Sequence, residues 1–257
     1  MEISNMDPPT RAGAVETTPL LEGDGKRSVQ AVDVVPMKFR DMPVAAESIR
    51  KAFEDDPLME YFDAADTAPF PVSRRKLIDM VDWMGAMHQE RMLTVEGGMS
   101  LMKYGPPGNQ TNLPSVAFLR DSLGRLRPEE CAKRWKEFGA KARELVSAAF
   151  GEKVADMMEI QVLATDPDAQ GRGYASALVK YVLRQGDADG RDVWLLTTSA
   201  YGFYEHFGFV TVRSGKVGED NPAWDGEPIT LRIMHRTARA SLAQASSEPK
   251  SPVMYTV

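Results

Sequence analysis

Residues 160–186 join an apolar strand, a glycine-rich loop and an amphipathic helix without a break. Residues 160–163 predict a strand, which Asp166-Pro167 ends because proline cannot donate a hydrogen bond to the sheet. The string Gln-Gly-Arg-Gly at 170–173 then opens a helix with apolar residues at a 3.6-residue period, and Gly186 is its expected cap. The two glycines let the backbone approach a ligand, and the free N–H groups of the new helix attract a phosphate or pyrophosphate.

Three known phosphate-binding motifs differ in spacing, and the segment fits one of them. A Walker A loop needs Gly-Lys-Ser/Thr after four intervening residues, and the sequence has no such string. A dinucleotide fingerprint needs glycine or alanine where Ser176 stands, and the next acid, Asp192, comes at the start of the following strand. The pattern Gln/Arg-x-x-Gly-x-Gly/Ala is matched by Gln170, Gly173 and Ala175.

A second motif follows at a suitable distance. Asp192-Val-Trp-Leu-Leu-Thr197 predicts a strand of β-branched, aromatic and aliphatic residues, and Tyr201-Gly-Phe-Tyr-Glu-His-Phe-Gly-Phe209 comes soon after it. The ending resembles the Phe-Tyr-Glu-x-x-Gly-Phe signature of the GNAT acetyltransferase superfamily, and the glycine-rich loop resembles that family's pyrophosphate loop. Each motif alone is also typical of ordinary structure. The two in this order favour an acetyltransferase.

The resemblance implies an α/β (α+β) fold with a mixed, mostly antiparallel central sheet flanked by helices, in a single domain. It implies acetyl-CoA as co-substrate, held by the strand before the loop and by the loop itself. The strand would contribute backbone contacts at Val162, Leu163 and Ala164, and the loop would contribute Gln170, Gly171, Arg172, Gly173, Tyr174, Ala175 and Ser176.

Two residues are candidates for proton transfer. Tyr204 matches the signature tyrosine, which would protonate or hydrogen-bond the departing sulfur, although a tyrosine among phenylalanines is also typical of core packing. Glu159 stands eleven positions before Gln170, in the place of the glutamate base of histone-acetylating members. A lone acid in an apolar strand is costly to bury without a purpose, but a strand-edge carboxylate can also face water. His206 is the next candidate base.

Two features of the sequence indicate the kind of acceptor: a cluster of acidic residues and a resemblance to one branch of the family. Acidic residues cluster between the first two predicted helices, and Asp55 and Asp56 would attract a cationic amine if that connection lines the acceptor groove, although such clusters are often simply solvated. The run Thr197-Thr-Ser-Ala resembles the branch that includes puromycin N-acetyltransferase and its fungal relatives. We therefore expect direct transfer to a small-molecule amine in a ternary complex. A protein lysine or N-terminal acetyltransferase and a non-catalytic acyl-CoA-binding module remain alternatives.

Composition limits the remaining possibilities. The chain has 257 residues, is 43% hydrophobic and carries a formal net charge of −6, which disfavours nucleic acid as a partner. Cys131 is the only cysteine, which suits a reducing, cytoplasmic setting, and the three histidines offer no metal spacing. We expect no secretory signal, no membrane partner, and a monomer or weak homodimer. Residues 1–30 and 239–257 are predicted to be disordered tails around a domain at 31–238.

The segments before the loop predict further elements. We expect a first strand over residues 32–40, a helix over 43–53 and a second helix that Ser73 caps and that runs to about Gln89. A hairpin should turn at Gly97-Gly98, and the string Pro-Pro-Gly at 106–108 should stop its second strand.

Overall fold

A computed structural model describes residues 32–105, 118–119 and 122–239. Its strands are β1 (Val35–Pro36), β2 (Met92–Val95), β3 (Ser100–Gly105), β4 (Met158–Thr165), β5 (Val193–Thr197), β6 (Val210–Val217) and β7 (Ile229–Arg236). Its principal helices are α1 (Met42–Ala52), α2 (Pro57–Asp63), α3 (Pro71–His88), α4 (Glu129–Phe150), α5 (Tyr174–Asp189) and α6 (Tyr201–Glu205).

The seven described strands form one sheet in the order β1-β2-β3-β4-β5-β7-β6. Every neighbouring pair is antiparallel except β4 and β5, which run parallel. The described residues fall within one compact unit, so the predicted single domain with a mixed, mostly antiparallel sheet is confirmed.

Helices cover both faces of the sheet. Helix α5 packs its buried side chains, such as Leu178 and Val182, on one face. On the other face, α1 and α3 pack against β2, β3 and the end of β4, while α2 and α4 pack against β5, β6 and β7. Among the described residues, no helix combines the length and the apolar character needed to cross a bilayer.

Several predicted boundaries were wrong. Within the expected strand over 32–40, only Val35 and Pro36 pair with β2. Pro36 has no backbone N–H to donate to the sheet, and a 3-10 turn begins at Phe39. Helix α3 starts at Pro71, with Phe70 rather than Ser73 at the N-cap position. Helix α2 was not predicted, and Pro57 occupies its first turn.

Helix α5 ends at Gly190 and not at the predicted Gly186. Gly190 caps the helix with a positive φ of 64°, a conformation that glycine adopts more readily than other residues. Gly186 is a packing residue, since a Cβ there would lie 2.9 Å from the Arg191 carbonyl oxygen and 3.0 Å from Val193 Cγ2. Its missing side chain lets α5 approach β5.

Arg134 fixes helix α4 to its neighbours. Its side chain is only 2% exposed, and its guanidinium donates to the carbonyl oxygens of Tyr61 and Ala223, each at 2.6 Å. The guanidinium also lies over the rings of Tyr61 and Trp224. This buried cation ties α2 and the β6–β7 connection to α4. Helix α4 also forms one wall of the candidate active site.

The predicted tails, 1–30 and 239–257, lie outside the described residues except for Arg239, and so does the predicted stop at 106–108.

Candidate active site

A β-bulge in β4 sets the direction of the side chains in the site. Lys103 pairs with Val162 and Tyr104 with Ile160, so Gln161 is the extra residue. A bulge breaks the strict alternation of side chains along a strand. Glu159, Gln161 and Val162 therefore all line the same cavity. Ile160 also borders this cavity, but its buried side chain belongs to the core cluster that includes α5.

Strands β4 and β5 separate beyond the bulge. Their parallel pairing covers Met158 to Ile160 and stops at the Ile160–Leu195 pair. On the other edge of β4, the Asp166 N–H donates to the Met99 carbonyl at 2.8 Å, and alternate amides point to opposite sides. The Leu163 amide therefore points into the gap between β4 and β5, at one of the three positions expected to contact the coenzyme.

The glycine-rich loop forms an open cradle at the start of α5. Gly171 and Gly173 have φ angles of 74° and 80°, and a Cβ at either would meet no other atom within 4 Å. The first-turn amides of α5 have no acceptor within the helix, and the positive end of the helix dipole lies there. The loop therefore fits a pyrophosphate approached closely by backbone.

Two side chains of the loop, those of Arg172 and Tyr174, are directed to the protein itself. Arg172 donates to the Asp168 carbonyl at 2.9 Å. Tyr174 is 8% exposed, and the nearby Glu96 raises the pKa of its phenol, so its side chain is directed into the protein and only its backbone can face a ligand in the cradle. Gln170 is exposed, and Ala175 and Ser176 are partly exposed at the helix start.

Asp166, which sequence reasoning took only as the end of a strand, anchors the loop. It is 3% exposed and accepts hydrogen bonds from the Asp168 N–H at 3.0 Å and from Lys51 Nζ at 3.1 Å. The backbone N–H of Asp168, with help from Lys51, lowers the pKa of the Asp166 carboxyl. The ion pair joins α1 to the loop that follows β4.

A groove of about 490 Å³ opens on the α4 side of the sheet. Its apolar wall comes from α4 and β5 and consists of Phe138, Ala142, Val146, Trp194 and Leu196. Its polar side includes Asp82 from α3, Lys103 from β3, and Glu159 and Gln161 from β4. Lys103 forms an ion pair with Asp82. An apolar cavity with a few convergent polar groups is typical of a small-molecule site.

Glu159 lies in the lining of this groove with a perturbed carboxyl group. Burial raises the pKa of its carboxyl, while the hydrogen bond from Gln161 Nε2 at 2.8 Å and the charge of Lys103 oppose the rise. A carboxylate with a raised pKa is a stronger proton acceptor than an exposed one.

Tyr204 lies on the α5 side of the sheet. It is 7% exposed, and its ring makes edge contacts with Phe203 and Phe209. Burial raises the pKa of its phenol, so the group stays protonated across the physiological range. The groove and Tyr204 therefore lie on opposite sides of the gap between β4 and β5.

The other candidate residues lie outside the groove lining. Asp56 caps α2 by accepting from the amides of Leu58 and Met59, and its second oxygen accepts from Thr198 Oγ1 at 2.9 Å. Asp55 is exposed on the preceding turn. His206 lines a different cavity, near the end of β7. Among the described residues, no three acidic, histidine or cysteine side chains are close enough to hold a metal ion.

A sequence comparison matches part of the chain to a known family model. Residues 139–211, which include part of α4, the cradle and the segment around Tyr204, match the family model described as "Acetyltransferase (GNAT) domain". This match supports a place for the chain in the GNAT acetyltransferase superfamily. It is an acetyl-transferring enzyme, and GNAT acetyltransferases use acetyl-CoA as their co-substrate. A comparison with curated proteins gives no match.

Solved structures share the fold of the GNAT domain. A mosquito arylalkylamine N-acetyltransferase like 5b aligns with a TM-score of 0.55 at 10% identity, covering 80% of this chain and 100% of the other. Arylalkylamine N-acetyltransferase 2 from Aedes aegypti gives 0.55 at 16% identity, with 81% and 100% covered. The Drosophila melanogaster polyamine N-acetyltransferase, which forms N-acetylagmatine, gives 0.52 at 13% identity, with 80% and 100% covered. At these identities the likeness shows the fold.

Proposed function

We propose that this chain is an acetyl-CoA-dependent N-acetyltransferase that acts on a small-molecule amine by direct transfer in a ternary complex. The observation that carries the proposal is the groove of about 490 Å³ that contains Glu159 and borders the open part of β4. That volume falls within the range of small-molecule pockets, roughly 300–1,000 Å³.

Each group has a distinct role in this proposal. The cradle at residues 170–176 holds the pyrophosphate, and the amide of Leu163 binds the coenzyme in the gap between β4 and β5. The amine nitrogen forms a bond to the acetyl carbon while the carbon–sulfur bond breaks. Glu159 accepts the proton that the amine loses, and the Tyr204 phenol donates a proton to the departing sulfur.

The positions of the two candidate bases favour Glu159 over His206. Glu159 faces the groove next to the strand gap, whereas His206 is exposed and its Nδ1 lies 2.7 Å from the Gly202 carbonyl oxygen. A base must come within hydrogen-bond reach of the proton that it removes. Only Glu159 lines a cavity that also borders the open part of β4.

The lining indicates the chemistry of the acceptor. The apolar wall of the groove suits an aryl or alkyl body, and the carboxylate of Glu159 suits the amine. The similar structures named for arylalkylamines and polyamines act on amines of this kind. We propose that Asp55 adds long-range attraction for a cationic amine, and that Asp56 acts mainly by fixing α2 and Thr198.

A thiol-release assay with acetyl-CoA tests the function. The panel contains arylalkylamines, polyamines including agmatine, puromycin for the branch suggested by Thr197-Thr-Ser-Ala, and peptides with a lysine or a free N-terminus. We expect turnover with small amines and little with peptides. Turnover with peptides alone would overturn the small-molecule assignment. Coenzyme binding without thiol release from any acceptor would indicate a binding module instead.

A further inference from the structure

A second cavity, of about 300 Å³, lies away from the groove and carries an unusual charge. It is an open concavity lined by the second half of α5, the turn that follows α6 and the end of β7. Its lining includes the basic side chains Lys180, Arg184, His206, Arg236 and Arg239 and a single acid, Asp187. The chain as a whole has a formal net charge of −6, so the charge of this lining is opposite in sign to that of the whole chain.

The single acid of this cavity is already fully engaged. Asp187 accepts two parallel hydrogen bonds from Arg236, at 2.8 and 2.9 Å, and a third from the Arg239 backbone N–H at 2.8 Å. Those contacts lower the pKa of the Asp187 carboxyl. The pair neutralises Arg236 and leaves the side chains of Lys180, Arg184 and Arg239 without an ion-pair partner among the described residues.

Arg236 gives the cavity a fixed frame. It is 5% exposed, and its Nε is buried without a hydrogen-bond partner among the residues that the structure describes. A buried arginine in a bidentate pair has little freedom to move, so it fixes the end of β7 against α5. The exposed cations around it therefore stand over a rigid surface.

The helix itself explains only part of this arrangement. The negative end of a helix dipole stabilises cations within the last turn, but Lys180 and Arg184 come before the last turn of α5. Like charges that converge on one concavity repel each other unless an anion lies between them. The arginine fork matches the oxygens of phosphate, to which it donates two parallel hydrogen bonds.

The cavity is separate from the coenzyme cradle. Arg184 lies ten residues beyond Tyr174, where α5 begins, which corresponds to about 15 Å along the helix axis. Lys180 is nearer, six residues or about 9 Å beyond Tyr174, so it is Arg184 in particular that a pyrophosphate on the first turn of α5 leaves uncompensated.

We propose that this cavity is a second anion site, which binds a phosphate-bearing small molecule through Lys180, Arg184 and Arg239. The bidentate Arg236–Asp187 pair forms its floor. The site takes its ligand while the coenzyme occupies the cradle.

Calorimetry with inorganic pyrophosphate tests this site on the full chain saturated with coenzyme A, so that the cradle is occupied. We compare the wild type with Arg184→Gln/Arg239→Gln, both exposed positions, and with the control Arg143→Gln/Arg213→Gln, which removes the same charge from exposed positions elsewhere. Losing two charge-assisted contacts should weaken binding by about tenfold or more, and the control should bind nearly as the wild type does.

Three results would overturn the proposal. The first is no binding of pyrophosphate to the coenzyme-saturated chain. The second is an equal loss in the control variant, which would mean that only overall charge matters. The third is pyrophosphate binding to the chain saturated with dephospho-coenzyme A but not to the chain saturated with coenzyme A. That result would mean that the cavity holds the coenzyme's own 3′-phosphate.

Discussion

Asp56 provides a prediction that separates a structural role from an electrostatic one. Its carboxylate accepts from the amides of Leu58 and Met59, at 2.9 and 3.2 Å, and from Thr198 Oγ1 at 2.9 Å. Replacing an N-cap acid by alanine costs about 1 kcal/mol, and a hydrogen bond to a charged group contributes about 1.5 kcal/mol. Asp56→Ala should therefore lower the free energy of unfolding by about 2.5 kcal/mol.

That loss is measurable by thermal denaturation. For a domain of this size, each kcal/mol shifts Tm by about 2–4 °C, so Asp56→Ala should lower Tm by about 5–10 °C. Asp56→Asn keeps a good cap through its amide oxygen, and its NH2 group can donate to Thr198 Oγ1 in place of the lost acceptor, so its Tm should stay near that of the wild type. Asp55→Asn is the matched control, because Asp55 is exposed and caps no helix.

The same three variants test the reasoning through kinetics. If Asp56 acts through hydrogen bonds, Asp56→Asn should leave the acceptor KM nearly unchanged, and Asp55→Asn should raise it only slightly. A large rise in the acceptor KM for Asp56→Asn at unchanged Tm would show that its charge draws the amine. A Tm for Asp56→Ala equal to that of Asp55→Asn would refute the capping argument.

Four further outcomes are expected. Glu159→Gln should cut turnover by roughly 10²- to 10⁴-fold and remove its limb of the pH–rate profile. Because burial raises the Glu159 pKa, its stabilising effect is lost as pH rises through the folded pKa, so the variant should melt no lower at neutral pH. Tyr204→Phe should reduce turnover by a similar factor with coenzyme affinity unchanged. A Tyr204→Phe variant that turns over at the wild-type rate would show that the phenol has only a packing role in the core. Gly173→Val should abolish the coenzyme's thermal shift, while Gly190→Val, equally strained, should keep it. A chain trimmed to about residues 30–240 should fold and turn over normally, as soluble expression and the amine assay would show.

The sequence by itself determined the elements whose signals are local. The string at 170–173 and the period that follows it predicted the cradle and α5, and Gly97-Gly98 predicted the hairpin of β2 and β3, because turn chemistry and side-chain period act over a few residues. It also singled out Glu159, an acid in an otherwise apolar strand. The sequence wrongly predicted the end of α5 at Gly186. This glycine is needed for packing against β5, and such packing leaves no local signal in the sequence.

Only the tertiary structure decided what surrounds these elements. The bulge at Gln161 decides which side chains of β4 face the groove, and it depends on pairing with β3. Lys51 reaches Asp166 across 115 residues of sequence, and Arg134 reaches the Ala223 carbonyl across 89. The second, basic cavity brings together the separate segments 180–187, 206–207 and 236–239. Contacts of this length are set by how helices pack on the sheet, and no short pattern in the sequence encodes them.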